Sequence, residues 1–199
     1  MAKIGLIGVS AKPFHVGHYM MITKAAKECD RVELFVSLSD RKRPGELPIL
    51  GSDMKKIWEE HLEAIMPDNV TVHYGGVPVR SIWEILGNAD EQGSSDEFII
   101  YADQDDLSTR FTDKSLNKYS GNLMANGQII LSATERAFSG TKMRQMLASG
   151  DKEGFKEKLP PGVNGDAIWE ILASRIPQTE SLLRRYVRMM IKARRVVLD

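Results

Sequence analysis

The feature that most restricts the fold is an alternation of short apolar runs with amphipathic stretches. Lys3 to Val9 (KIGLIGV) and Val32 to Leu38 (VELFVSL) are nearly continuous apolar runs, as in strands buried on both faces of a parallel sheet; Val70 to Tyr74 (VTVHY), Glu97 to Tyr101 (EFIIY) and Gln128 to Leu131 (QIIL) follow as further strands. Between the first two, Met20, Met21, Ala25 and Ala26, with Lys24 and Lys27 among them, predict an amphipathic helix from Gly17 to Glu28. Ser52 is placed to cap a helix with Met54, Ile57, Trp58, Leu62 and Ile65 on one stripe, and Val79 to Leu86 reads as another helix. Strand and helix in alternation imply βαβ units with right-handed crossovers. The expected fold is therefore α/β, a Rossmann-like doubly wound parallel sheet of five strands, with ligands at the carboxyl ends of the strands.

The expected division is an α/β domain over 1–163 and a C-terminal helical extension over 164–199. In the extension Leu182, Leu183, Tyr186, Val187, Met190 and Ile191 form an apolar stripe with Arg184, Arg185, Arg188, Lys192, Arg194 and Arg195 around it, read as the solvated face of a docked helix. Asp103 to Gly127 lacks a period and is expected to be a long loop, of the kind that is functional or disordered. Lys+Arg and Asp+Glu balance at 27 each, which argues against nucleic acid or an anionic membrane as partner and requires any bound anion to be held by local groups. The single Cys29 excludes an internal disulfide and reads as a small core residue. No run approaches the ~20 apolar residues of a membrane helix, and MAKIGLIGVS is too short for a signal peptide, so a cytoplasmic location is expected.

Two stretches carry chemistry. GVSAKPFHVGHYM, residues 8 to 20, places two of the chain's four histidines, His15 and His18, around Gly17 directly after the first strand. FSGTKMRQML, residues 138 to 147, follows the fifth strand: Ser139 or Gly140 can cap a helix whose free N–H groups favour an anion, Thr141 adds a hydroxyl, and Arg144 can bind phosphate bidentately. Taken singly, either has a plain structural explanation.

Together, PFHVGH after the first strand and SGTKMR at the start of a late helix resemble the HxGH (cytidylyltransferase-like) nucleotidylyltransferase superfamily, and the PFHxGH form is most similar to nicotinamide mononucleotide adenylyltransferases. The likeness spans Ile4 to about Gly150. It implies transfer of a nucleoside monophosphate from a nucleoside triphosphate, ATP or CTP, to a small phosphorylated acceptor, with Mg²⁺ accompanying the triphosphate; which residues hold the metal stays unknown. It implies that Gly8 opens a nucleotide-binding turn continued by Val9 and Ser10, that His15 and His18 contact the triphosphate near its α-phosphorus, and that Gly17 lets the backbone approach. Ser139, Gly140 and Thr141 would hold the β- and γ-phosphates, with Arg144 clamping them. Where relatives read GRFQPFH or GSFDP, this chain has GVSAKPFH, one residue longer between glycine and proline. Lys12, just before Pro13, is counted with the catalytic group because its place suits a phosphate contact.

These residue types suit the reaction, because attack by a phosphate oxygen on phosphorus needs aimed donors and positioned reactants rather than covalent help. A histidine titrates near ~6.5, so a neighbouring polyanion can keep it protonated at neutral pH. Arg41, Lys42 and Arg43, beyond the second strand, are candidates for the acceptor's phosphate, Arg41 and Arg43 foremost; Asp103, Asp105 and Asp106, after the fourth, are candidates for a ribose or Mg²⁺, Asp103 foremost. His61, His73, Trp58, Trp83 and Trp169 read as structural, although Trp83, Phe111 or Tyr119 could stack on a base. AMP transfer, with nicotinamide mononucleotide as the first acceptor, leads. Cytidylyl transfer to a phosphorylated alcohol and a non-catalytic nucleotide sensor are the alternatives, and a homo-oligomer is compatible with the sequence.

Overall fold

The computed structural model describes residues 1–43, 47–134 and 138–174. Five parallel strands, β1 (Lys3–Val9), β2 (Arg31–Val36), β3 (Val70–Tyr74), β4 (Glu97–Ala102) and β5 (Ile129–Ala133), form one sheet in the order β3-β2-β1-β4-β5. The doubly wound parallel sheet expected from the alternation is thus present. Successive side chains point to opposite faces, so each apolar run supplies two cores at once. Ile7, Val9, Val32, Leu34, Val36 and Tyr101 face one, and Ile4, Leu6, Phe35, Phe98 and Ile100 the other.

The first core is covered by α1 (Val16–Glu28), α2 (Gly51–Ile57), α7 (Gly140–Ser149), α8 (Lys152–Glu157) and α9 (Gly165–Ala173), the second chiefly by α3 (Pro78–Glu91). After β3 the chain crosses under the sheet through α3 to place β4 beside β1. The order therefore reverses between β1 and β4, and a crevice opens there at the strands' carboxyl ends. Gly8 lets α3 pack close against β1, since a Cβ there would lie 3.1 Å from Pro78 Cβ and 3.3 Å from Ile82 Cδ1 of α3.

Several expectations are corrected. The residues read as a long loop after β4 fold into three short helices, α4 (Gln104–Arg110), α5 (Asp113–Tyr119) and α6 (Gly121–Ala125), with Asp103 and Thr112 as N-caps of the first two. Each buries one leucine, Leu107, Leu116 or Leu123, and helices of five to seven residues are too short to repeat an apolar face. Ser52 is not a cap. The helix begins at Gly51 with Leu50 before it, because a Cβ on residue 51 would come within 1.6 Å of the Leu38 carbonyl oxygen. The same helix then relaxes into a π turn, Trp58–Leu62, and a 3-10 turn, Glu63–Ile65, rather than continuing as one α-helix. In the segment expected as an extension, α9 sends Ile168 and Leu172 into the first core; the stripe from Leu182 to Ile191 lies outside the described residues.

Candidate active site

The turn after β1 sets the first half of the site. Ala11 takes a left-handed φ of 45°, the Lys12–Pro13 peptide is cis, and His15 in extended conformation caps α1. The cap is made by the two histidines themselves: His15 Nδ1 accepts from Gly17 N at 3.2 Å, and His18 Nδ1 accepts from His15 N at 3.3 Å. Their rings stack with centroids 3.8 Å apart. An Nδ1 that accepts a backbone N–H carries no proton, so each ring's N–H sits on Nε2. Two Nε2–H donors are thus fixed at the first turn of a helix whose positive end faces the crevice. The charged imidazole expected from the sequence would have to give up a cap bond.

Ser139 supplies the second half. Its hydroxyl caps α7 by accepting from Lys142 N at 3.3 Å, and the helix ends on Gly150 in left-handed conformation. Within α7, Met143 and Leu147 face the core, and the neighbouring position carries Arg144 inward with them, leaving it 6% exposed. Its guanidinium donates to the Lys12 carbonyl oxygen at 2.8 Å and to Thr141 Oγ1 at 2.9 Å. Gly140 packs close to both groups, so that a Cβ there would stand 3.4 Å from Lys12 O and 3.3 Å from Arg144 Nη1.

The two halves enclose a cavity of about 310 Å³ whose walls include Gly8, Lys12, His15, His18, Thr141 and Arg144. Lys12 is 5% exposed, and its ammonium donates to Ser37 O at 2.9 Å, Ser37 Oγ at 3.3 Å and Ser39 Oγ at 3.4 Å, just past β2. All three acceptors are uncharged. Burial, reinforced by the nearby Arg41, lowers the lysine's pKa below the ordinary value, while Asp40 acts weakly in the other direction. A buried cation among neutral oxygens favours any anion that enters the cavity.

Residues 4–76 match the family of citrate lyase ligase C-terminal domains. No curated protein sequence matches the chain. Among solved structures, a bifunctional NMN adenylyltransferase/ADP ribose pyrophosphatase from Francisella tularensis is 17% identical, over 96% of this chain and 57% of that one, with a TM-score of 0.55. The nicotinic acid mononucleotide adenylyltransferase of Plasmodium falciparum, complexed with NaAD, is 12% identical, over 87% of this chain and 96% of that one, with a TM-score of 0.54. The chain has the α/β fold of these two adenylyltransferases.

In this fold most of the residues singled out from the sequence converge. Gly8, Val9, Ser10, Lys12, His15, Gly17, His18, Ser139, Gly140, Thr141 and Arg144 all line the one cavity, as do Arg41 and Asp103. Arg43 is exposed and outside that lining, whereas the backbone of Arg41 pairs with that of Ile49 at 2.8 and 3.0 Å. Trp83, Phe111 and Tyr119 pack on one another over the second core, away from the cavity lining; His73 bonds Glu33 at 2.6 Å. The sequence alone does not place Met21, Ala102, Thr134 and Phe138 in the site, nor the anchoring pair Ser37 and Ser39, whereas the candidate Asp106 does line the cavity. Phe138 could have been found, since it directly precedes SGT; the serines carry no sequence signal. Among the described residues no helix is long and apolar enough to cross a membrane.

Proposed function

We propose that this protein transfers AMP from ATP to a phosphate oxygen of a small phosphorylated acceptor, releasing pyrophosphate, with nicotinamide mononucleotide the first acceptor to test. One observation carries the reading: the histidine turn after β1 and the capped start of α7 line a single cavity at the reversal of strand order and are tied together by Arg144. The named activities of the Francisella and Plasmodium proteins support adenylyl transfer.

In the reaction an acceptor oxygen attacks the α-phosphorus. A new P–O–P linkage forms as the bond to the β-phosphate oxygen breaks, and the electron pair leaves with pyrophosphate. The Nε2–H groups of His15 and His18 are directed at charge that builds on the α-phosphate, and the N–H groups at the start of α7, the Thr141 hydroxyl and Arg144 hold the leaving phosphates. Lys12 and Arg41, at the β2 end of the cavity, are placed for the acceptor's phosphate. Mg²⁺ bound to the triphosphate would neutralise part of its charge. Such an ion keeps several waters and needs only one or two carboxylates, and Asp103 and Asp106 on the cavity wall are the ones that would hold it, in exchange for part of the α4 cap and the Arg110 ion pair they now make.

Pyrophosphate release from ATP and from CTP across a panel of phosphorylated acceptors tests this. Turnover with ATP that His18→Ala abolishes is expected. Turnover with CTP alone would make the protein a cytidylyltransferase, and nucleotide binding without turnover would make it a sensor.

A further inference from the structure

Two ammonium groups stand near Phe138. Its ring lines the cavity and meets His15 edge-on at 5.8 Å, while the ammonium groups of Lys142 and Lys158 stand 5.8 and 5.9 Å from its centroid. The two lysines come from the elements that frame the phosphate end of the site. Lys142 lies in the first turn of α7, one residue past Thr141; Lys158 follows α8, and its carbonyl oxygen accepts from Val16 N at 2.8 Å in the first turn of α1. Neither charge is closely neutralised. Lys142 makes no ion pair among the described residues, and that of Lys158 is a 3.9 Å approach to its neighbour Glu157. An aromatic face holds an ammonium without cancelling its charge.

We propose that Lys142 and Lys158 bind the terminal phosphate of the nucleoside triphosphate and then the departing pyrophosphate. The inference rests on the nucleotidylyl-transfer reading and extends it outward along the phosphate chain. Arg144, Thr141 and the free N–H groups of α7 grip the phosphates that lie inside the cavity. At the outer end of that grip the terminal phosphate reaches Phe138 on the cavity wall, and the two ammonium groups, themselves just outside the lining, stand against that ring. They therefore distinguish a triphosphate from a shorter donor by the charge at its far end, and the acceptor makes no contact with them.

The test is calorimetric binding of ATP, AMP and inorganic pyrophosphate to the intact chain. The Lys142→Ala, Lys158→Ala double variant is expected to bind ATP and pyrophosphate at least tenfold more weakly, with AMP unchanged, since a charge-assisted contact to phosphate is removed twice. The corresponding arginine variants keep most of the affinity. Unchanged ATP and pyrophosphate affinity in the double variant, an equal loss for AMP, or a wild-type protein that binds no pyrophosphate overturns the proposal. A wild-type protein that binds pyrophosphate through these lysines yet transfers nothing refutes the transfer reading and leaves this one standing.

Discussion

Arg144 Nη1 lies 2.8 Å from the main-chain oxygen of Lys12, so a side chain of α7 completes the turn that follows β1. The same guanidinium reaches Thr141 Oγ1, and a shorter cation cannot span both. Arg144→Lys is expected to lower kcat/KM by about 10- to 100-fold, corresponding to the ~1.5–3 kcal/mol of a charged hydrogen bond. Steady-state pyrophosphate release measures it. Full activity in the lysine variant would mean that the bridge does not shape the site.

His15 caps α1 through Nδ1 and lines the cavity, and in the proposed reaction its Nε2–H has a second duty as a donor. Asparagine is among the best N-caps but has no donor at the Nε2 position. His15→Asn should therefore retain the wild-type melting temperature within a few degrees while kcat falls on the order of 10²–10³-fold. Thermal unfolding and kinetics on one preparation separate the duties.

Gly51 has no room for a side chain, because a Cβ would stand 1.6 Å from Leu38 O. Its N–H also donates to Asp40 Oδ1 at 2.9 Å, which fastens the start of α2 to the segment carrying Arg41. Gly51→Ala must push α2 away from that segment. We expect a loss of roughly 3 kcal/mol, read as a melting temperature lower by about 10 °C. The acceptor's KM should rise more than that of ATP, since Arg41 is on the displaced side of the cavity.

What could be read from the sequence depended on the range of the determining interaction. KIGLIGV and EFIIY announce buried strands because burial on both faces is written into every residue, and SGT announces a helix start because capping is local. The stretch from Gln104 to Ala125 has helices whose sole apolar anchors are Leu107, Leu116 and Leu123, and no period can emerge from one anchor apiece. The start of α2 was misread at Ser52 because the deciding contact, Gly51 against Leu38, is a close approach between backbones thirteen residues apart. The histidines' mutual cap was likewise hidden: spacing placed His15 and His18 together, but only the extended conformation of His15 shows which nitrogen each ring commits to the backbone.

Lys12 gives the last prediction, which joins stability to pH. Its folded pKa lies below 10.5, mainly through burial and then through Arg41, so the native state holds this proton less tightly than the unfolded chain does. The charge therefore subtracts stability. The penalty is complete below the depressed pKa and disappears as pH rises toward 10.5, where the unfolded lysine also loses its proton. Lys12→Met keeps the buried stem and removes the charge, so it should be more stable than the wild type at pH 7, by an amount that shrinks between neutral pH and 10.5. Urea unfolding across that range measures the difference. The same variant should bind the phosphorylated acceptor more weakly, because it removes a cation from the cavity wall beside Arg41. A wild-type protein more stable than Lys12→Met at neutral pH would show instead that the bonds to Ser37 and Ser39 outweigh the cost of burying the charge.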